Sequence, residues 1–184
     1  IILNILVPDR DGKPVDVCLG QKDLTAYLTN PGCLGATVGP CANRTADASF
    51  SINGKKYFLE ANAGVNNLHS SRMVGFQRTV WEEVSETEGE VVFHLKSADG
   101  EYGFPGNKDI HLSFSLSEEN ALRLHYLVKS DAPTWINMTN HCYFNLGGHA
   151  SGSVEGHEMQ LFAGSFTPVR AGSIPTGEIR SVQG

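Results

Sequence analysis

Two neighbouring segments of the chain, residues 110–116 and residues 122–128, place an apolar side chain at every second position. Alternation with a period of two is typical of a β-strand that buries one of its faces. The short connection between them contains Glu118-Glu119-Asn120, so the pattern predicts an antiparallel hairpin. A sheet with one apolar face must bury that face against further elements, and this requirement constrains the rest of the chain.

A second hairpin is predicted nearer the start of the chain. Apolar residues over 50–52 and 57–59 flank Asn53-Gly54, the dipeptide that best suits a tight turn between antiparallel strands. Alternation of the same kind predicts further strands over residues 91–95, 135–139 and 158–162.

Helical signals are scarce. Asp23 is suited to cap a short helix that continues through Leu28 and ends at Asn30-Pro31-Gly32. Many strands, 20 glycines and short connections predict an all-β fold, either an antiparallel sandwich or a barrel. We expect residues 1–184 to form a single domain. Because the chain opens on an apolar run without an initiator Met, we expect it to be part of a longer polypeptide.

Charge and hydropathy exclude several classes of partner. The 14 Lys and Arg residues are outnumbered by 20 Asp and Glu residues, and this net charge of −6 argues against a nucleic-acid partner. No stretch approaches the roughly 18 consecutive apolar residues that a membrane span requires, and no secretory leader is recognisable. The sequence therefore predicts no membrane partner and a cytoplasmic location.

Cysteine and histidine spacing indicates no metal or redox site. The four cysteines form no CxxC pair, so free thiols are expected, with a framework of two disulfides as the alternative. No two of the seven histidines have HxH or HxxxH spacing, so no metal is predicted. His111 and His125 fall on polar faces of neighbouring strands and are expected to be solvated. Signatures of nucleotide-binding loops and serine hydrolases are missing.

Four polar segments are not explained by the strand pattern. Residues 135–146, WINMTNHCYFNL, mix amides and His141 with large apolar side chains, which suits either a functional cluster or a core histidine satisfied by amides. His69 lies in a polar loop, where it binds a ligand or is merely solvated. Arg44 could bind a hydroxyl of a substrate or pair with a surface carboxylate. The aromatic residues of the loop at 99–107 could form the floor of a sugar site, although turn chemistry alone would explain them.

Several stretches together resemble the aldose 1-epimerase (galactose mutarotase) family, in its order and spacing over nearly the whole chain. They are LVPDRDGKPVDVCLG, GATVGPCANRTADASFSINGKKY, NNLHSS, DGEYGFPGN, TNHCYFNLGGHASG and IPTGEI. The resemblance implies a large antiparallel β-sandwich that binds a sugar such as galactose or glucose in an open cleft, with neither a metal nor an organic cofactor.

The resemblance also implies roles for particular residues. His141 matches the general acid that protonates the ring oxygen of the sugar, and His69 matches a second catalytic histidine that contacts the sugar near the same oxygen. Asn43 and Arg44 match the amide and guanidinium that bind sugar hydroxyls. The implied reaction interconverts the α and β anomers of a hexose by opening and reclosing its ring.

The chain departs from the family pattern in ways that leave alternatives open. Family members run to roughly twice this length, and the glutamate that acts as their catalytic base lies in the part that this chain does not match. Pro40 replaces a usual arginine, and Ser70-Ser71 replaces a common glycine pair. A non-catalytic sugar-binding module of the same fold, or a structural interaction domain, therefore remains an alternative to an enzyme. The oligomeric state is not predicted.

Overall fold

The computed structural model describes residues 1–183, and regular structure there is almost entirely β. The strands are β1 (Leu6–Pro8), β2 (Pro14–Asp16), β3 (Thr37–Val38), β4 (Arg44–Thr45), β5 (Ser49–Ile52), β6 (Lys55–Phe58), β7 (Asn67–Leu68), β8 (Glu82–Glu86), β9 (Glu90–Ser97), β10 (Lys108–Leu116), β11 (Leu122–Ser130), β12 (Thr139–Asn140), β13 (Ser165–Phe166), β14 (Val169–Arg170), β15 (Ile174–Pro175) and β16 (Arg180–Ser181). The α-helix α1 spans Leu24–Tyr27, and two short 3₁₀ turns span Ala46–Ala48 and Glu101–Gly103. The predicted all-β class is confirmed.

The chain divides into two compact units, which we describe separately. One unit comprises residues 38–139, and the other comprises residues 1–37 together with the chain from residue 140 onward. The expectation of a single domain stays a prediction. Among the described residues, no helix has the length and apolar character that crossing a bilayer requires.

The central unit is built on a four-stranded antiparallel sheet in the order β11-β10-β9-β8. The predicted hairpin is confirmed, because β10 pairs with β11 in continuous register from Lys108 opposite Ser130 to Leu116 opposite Leu122. Ile110 and Leu112 are buried on one face, as the alternation requires. Phe76 and Leu95 join Ile110 in the hydrophobic core of this unit.

The predicted hairpin at Asn53-Gly54 is also confirmed. Strands β5 and β6 pair in register, and both turn residues take a positive φ, +51° and +80°. A two-residue turn with positive φ at both positions matches the right-handed twist of the flanking strands, and Asn and Gly adopt it with little strain. Phe50, on β5, is buried and stacks with Phe104 and Trp135, at ring-centroid distances of 5.4 and 4.5 Å.

The loop over residues 99–107 lies beside a buried lysine and contributes one aromatic ring to the core. Phe104 is fully buried, so its ring is part of the core and is not presented to a ligand. Lys108 is also buried, and its Nζ donates to the carbonyls of Gly106 and Phe104 at 2.6 and 3.2 Å. For Phe104, the structure therefore favours core packing over contact with a ligand.

In the other unit, the predicted helix forms and one predicted strand does not. Asp23 Oδ1 accepts a hydrogen bond from the Ala26 backbone N–H at 2.9 Å, which caps α1 as predicted. Residues 158–162 form no strand and are exposed, so that prediction was wrong. Their alternation lacks a neighbouring strand to supply hydrogen bonds, while residues 165–181 form the short pairs β13–β16 and β14–β15.

The predicted strand over residues 135–139 is only partly formed. Asn137 makes one isolated bridge with Cys41, and only Thr139 of this range lies in a strand, β12. The remaining residues of the range are irregular. Alternation over so short a stretch therefore did not specify a ladder of hydrogen bonds, and the predicted strand is limited to this bridge and to Thr139.

Candidate functional site

Two polar segments of the central unit lie side by side through the short strands β4 and β7. The strands pair antiparallel, with Arg44 opposite Leu68 and Thr45 opposite Asn67. This register brings the segment that carries Asn43 and Arg44 beside the loop that carries His69. Three of the four residues singled out by the family resemblance therefore belong to one group in one unit.

Asn43 and His69 are joined by two reciprocal hydrogen bonds. The His69 backbone N–H donates to the Asn43 carbonyl at 3.0 Å, and the Asn43 backbone N–H donates to His69 Nδ1 at 3.0 Å. An Nδ1 that accepts a backbone hydrogen bond carries no proton, so the neutral ring carries its proton on Nε2. The local backbone thus sets the tautomer of His69 and makes Nε2–H a hydrogen-bond donor.

The turn at His69-Ser70 is held by Ser70. Both residues have left-handed φ values, +57° and +63°, a region that non-glycine residues rarely adopt. Ser70 is buried, and its Oγ accepts from the Cys41 N–H at 2.8 Å and donates to the Cys41 carbonyl at 2.9 Å. Glycine adopts a left-handed conformation with little strain, and at Ser70 the two hydrogen bonds of the hydroxyl compensate for the strain.

The side chain of Asn67 also holds the turn at His69-Ser70. Sequence reasoning assigned this residue no role. Its side chain is fully buried, and Nδ2 donates to the carbonyls of Glu60 at 2.8 Å and Ser70 at 2.6 Å. The only sequence signal was its place in NNLHSS, which did not distinguish it from Asn66. Gln77 adds a further hydrogen bond, from Nε2 to the Ser71 carbonyl at 2.5 Å.

Arg44 is half-buried at the edge of this group. Among the described residues its guanidinium forms no ion pair, so the interpretation as a partner of a surface carboxylate is not supported there. A guanidinium offers five N–H donors in a rigid fork, which suits vicinal hydroxyls or other oxygen acceptors. The group thus combines a cation with an imidazole donor.

His141 belongs to the other unit and is fixed there by its backbone. Its N–H donates to the Ala36 carbonyl at 2.9 Å, and its carbonyl accepts from the Gly35 N–H at 3.2 Å. The imidazole packs against the ring of Tyr143, with centroids 5.0 Å apart and planes tilted by 37°. The side chain is half-buried, which is compatible with contact to a ligand.

The amides around His141 serve the backbone. Asn140 Nδ2 donates to the Gly35 carbonyl at 3.0 Å, and its Oδ1 accepts from the Cys142 N–H at 3.0 Å. Asn145 is buried and in the same way bridges the Gly152 carbonyl and the Gly147 N–H, both at 3.1 Å. The amides are therefore satisfied structural groups.

A cleft of about 230 Å³ in this unit is lined by Tyr143, Phe144 and His149, among others, and not by His141.

The four cysteines of the chain are free thiols, as expected. Cys18 Sγ lies 3.5 Å from Cys142 Sγ. Burial, reinforced by the hydrogen bond with the neighbouring Cys18 thiol, raises the pKa of Cys142 to about 12. Cys142, which follows His141 in the sequence, is therefore held in the thiol form.

Comparisons with known proteins identify the family of the chain. The profile of the aldose 1-epimerase family matches residues 1–184. The chain is 40% identical over 183 residues to galactose mutarotase from Bos taurus, covering all of this chain and 53% of that protein. It is 36% identical over 183 residues to aldose 1-epimerase from Escherichia coli strain K12, covering all of this chain and 52% of that protein. The chain thus spans about half the length of the curated relatives it matches.

Solved structures confirm the predicted fold, a β-sandwich of the galactose mutarotase type. An aldose epimerase homologue from C. elegans aligns with 99% of this chain and 55% of its own, at 28% identity and a TM-score of 0.86. A galactose 1-epimerase from Lactobacillus acidophilus NCFM aligns with 95% of this chain and 51% of its own, at 27% identity and a TM-score of 0.77. The sequence motifs, the strand pairing and the family profile lead to one conclusion: this chain belongs to the aldose 1-epimerase family.

Proposed function

We propose that the protein to which this chain belongs is an aldose 1-epimerase that interconverts the α and β anomers of hexoses such as galactose and glucose. The observation that carries this proposal is the pair of hydrogen bonds between Asn43 and His69, in a chain of this family. These bonds make Nε2–H of His69 a donor, on a loop that strand pairing brings beside the segment of Arg44. The names of the relatives, galactose mutarotase and aldose 1-epimerase, indicate the substrate class.

The proposed reaction requires two proton transfers. A proton is given to the ring oxygen while one is taken from the anomeric hydroxyl, so that the bond between the anomeric carbon and the ring oxygen breaks and an aldehyde forms. Rotation about the bond from the aldehyde carbon to the next carbon, followed by the reverse transfers, closes the ring with the opposite configuration. We assign the proton donor to His141, because imidazole exchanges protons readily near neutral pH.

The three residues of the central unit have binding roles in this proposal. Arg44 and the Asn43 amide donate to sugar hydroxyls, and neutral His69 donates from Nε2 to an oxygen near the anomeric centre. The hydrogen bond from the Asn43 backbone N–H to Nδ1 prevents the neutral ring from carrying its proton on Nδ1 instead of Nε2. Such prearranged donors stabilise the developing negative charge on oxygen when the ring opens.

A second candidate function is sugar binding without turnover by this chain. No glutamate of the chain matches the family's catalytic base. Glu178 is held by Arg180 through two hydrogen bonds of 2.9 and 2.7 Å, and this pairing lowers its pKa. A carboxylate engaged in this way is a poor base, so turnover depends on a base supplied by the rest of the protein.

Polarimetry distinguishes the two functions. Freshly dissolved α-galactose is mixed with the chain, with His141→Asn and with His125→Asn, a control at an exposed strand position. Acceleration by the chain and by the control, reduced about 10²–10⁴-fold in His141→Asn, supports the enzyme and would show that the chain itself contains a base. Galactose binding without acceleration, weakened by Arg44→Ala, supports the binding module. If the chain neither binds galactose nor accelerates mutarotation, both candidate functions fail for this chain.

The tautomer assigned to His69 has its own test. Nitrogen NMR of the imidazole distinguishes a ring protonated at Nε2 from one protonated at Nδ1. We expect the Nε2–H form at neutral pH, because Nδ1 accepts the Asn43 N–H. A ring protonated at Nδ1 would contradict the binding role proposed for this histidine.

A further inference from the structure

We propose that the central sheet carries a binding site for one divalent transition-metal ion of the Zn²⁺ type, formed by His94, Asp109 and His111. A fourth residue, Glu82, orients His94. None of these residues is among those proposed to bind the sugar, so the site is independent of the proposed function.

Strand register brings the three ligands together on one face of the sheet. His94 on β9 lies directly opposite His111 on β10, and Asp109 lies two residues before His111. Side chains two positions apart on a strand point to the same face. This face is opposite to the one on which Ile110 and Leu112 are buried.

The distances between the ligand atoms fit a small metal ion. Asp109 Oδ1 lies 3.3 Å from His94 Nε2 and 3.3 Å from His111 Nδ1. Ligands 2.0–2.1 Å from a tetrahedral Zn²⁺ are separated by about 3.3 Å along each edge of the tetrahedron. The three ligand atoms all lie within 4.8 Å of one another, so a modest rotation of the side chains would complete the geometry.

His94 has an unsatisfied nitrogen at this position. Its side chain is only 14% exposed, and Nε2 is buried without a hydrogen-bond partner among the described residues, although Asp109 Oδ1 is 3.3 Å away. A buried polar atom without a partner is unfavourable, and a metal ion bound at this nitrogen would remove that cost.

The other nitrogen of His94 faces a carboxylate. Glu82 Oε2 lies 3.7 Å from Nδ1, and strand pairing places Glu82 directly opposite His94. Metal-bound histidines commonly direct their second nitrogen at a carboxylate, which orients the ring and strengthens the metal bond. Glu82 therefore stands in the position of an orienting residue outside the coordination sphere.

Neighbouring lysines do not neutralise Asp109. Lys96 and Lys129 are opposite Asp109 on the two adjacent strands, yet neither forms an ion pair with it within the described part of the chain. The Asp109 carboxylate is directed at the two imidazoles instead. Two imidazoles and one carboxylate suit Zn²⁺ and related transition metals, whereas Mg²⁺ and Ca²⁺ prefer oxygen ligands alone.

Zinc titration of the purified chain by calorimetry tests the site, with Co²⁺ absorption as a spectroscopic readout of coordination. We expect one equivalent of Zn²⁺ to bind, with the affinity reduced at least tenfold in His94→Ala and in His111→Ala. Glu82→Gln should weaken binding by about 10–100-fold, as expected for an orienting carboxylate. Circular dichroism checks that each variant retains its strands.

The matched control is His125→Ala, which removes an exposed histidine from the neighbouring strand β11. Its affinity for Zn²⁺ should equal that of the unchanged chain. Undiminished binding by the His94→Ala/His111→Ala double variant would show that the metal binds elsewhere, for instance at a thiol. That result, or the absence of stoichiometric binding by the unchanged chain, would overturn the proposal.

Discussion

Replacing Asn67 by Ala is expected to destabilise the chain by about 2–3 kcal/mol. The change removes two buried hydrogen bonds from Nδ2, at 2.8 and 2.6 Å, each contributing about 1 kcal/mol. It also leaves the carbonyls of Glu60 and Ser70 without this donor and creates a small cavity, which adds to the loss. Part of the loss is offset, because Asn67 Oδ1 is itself buried without a partner among the described residues.

The control for this prediction is the preceding residue, Asn66. Asn66→Ala removes a single hydrogen bond, from the Asp47 N–H to Oδ1 at 3.0 Å at a partly exposed position, and should destabilise by less than about 1 kcal/mol. Urea unfolding monitored by circular dichroism compares the two variants. Equal stability of Asn67→Ala and Asn66→Ala would refute the assignment of Asn67 as the support of the turn.

A local measurement separates loss of the turn from general destabilisation. The turn keeps His69 Nδ1 in place to accept the Asn43 N–H. In Asn67→Ala we expect hydrogen exchange at the Asn43 amide to accelerate more than exchange in the β9–β10 ladder. Uniform acceleration throughout the central unit would contradict a specific role for Asn67 at the site.

Two further predictions concern titratable groups whose pKa is shifted by burial or partial burial. Lys108→Met should destabilise by about 2 kcal/mol at pH 7, because the loop carbonyls lose a charged donor, whereas Lys129→Met at an exposed position should have little effect. Burial lowers the pKa of Lys108 from 10.5, so the folded state releases the Lys108 proton at a lower pH than the unfolded state does. The free energy of unfolding, compared with that of Lys108→Met, should therefore rise as the pH increases toward 10.5. The opposite trend in urea unfolding would contradict burial of the charge. Since the pKa of Cys142 is raised to about 12, alkylation of Cys142 by iodoacetamide at pH 8 should be about 10³-fold slower than that of an ordinary thiol, as followed by mass spectrometry. The Cys18→Ser substitution should accelerate this alkylation. Alkylation of Cys142 at the rate of an ordinary thiol would contradict the raised pKa.

The strands that sequence reasoning predicted best are those with long alternation or a strong turn signal. The hairpin of β10 and β11 and the turn at Asn53-Gly54 form as expected. Both depend on residues close together in the chain, so local preference and hydrophobic pattern agree. The strand predicted over residues 158–162 lacked such support and does not form.

The family resemblance named the segments of the proposed site but not the contacts that hold them in place. Asn43, Arg44 and His69 could be named from motifs, whereas the reciprocal hydrogen bonds, the tautomer of His69 and the support by Asn67 depend on the pairing of β4 with β7. Residues far apart in sequence supply these contacts, and a motif does not state which atoms of its residues meet.

The histidine pair of the central sheet shows the same limit most clearly. Spacing along the chain argued against a metal site, because His94 and His111 are separated by a strand connection and match no local motif. The all-β class, the principal hairpins and the family could be predicted from local patterns and motifs. The side chains that face each other across neighbouring strands could not, because they depend on strand register, and a shift of register by one residue would move each of them to the opposite face of the sheet.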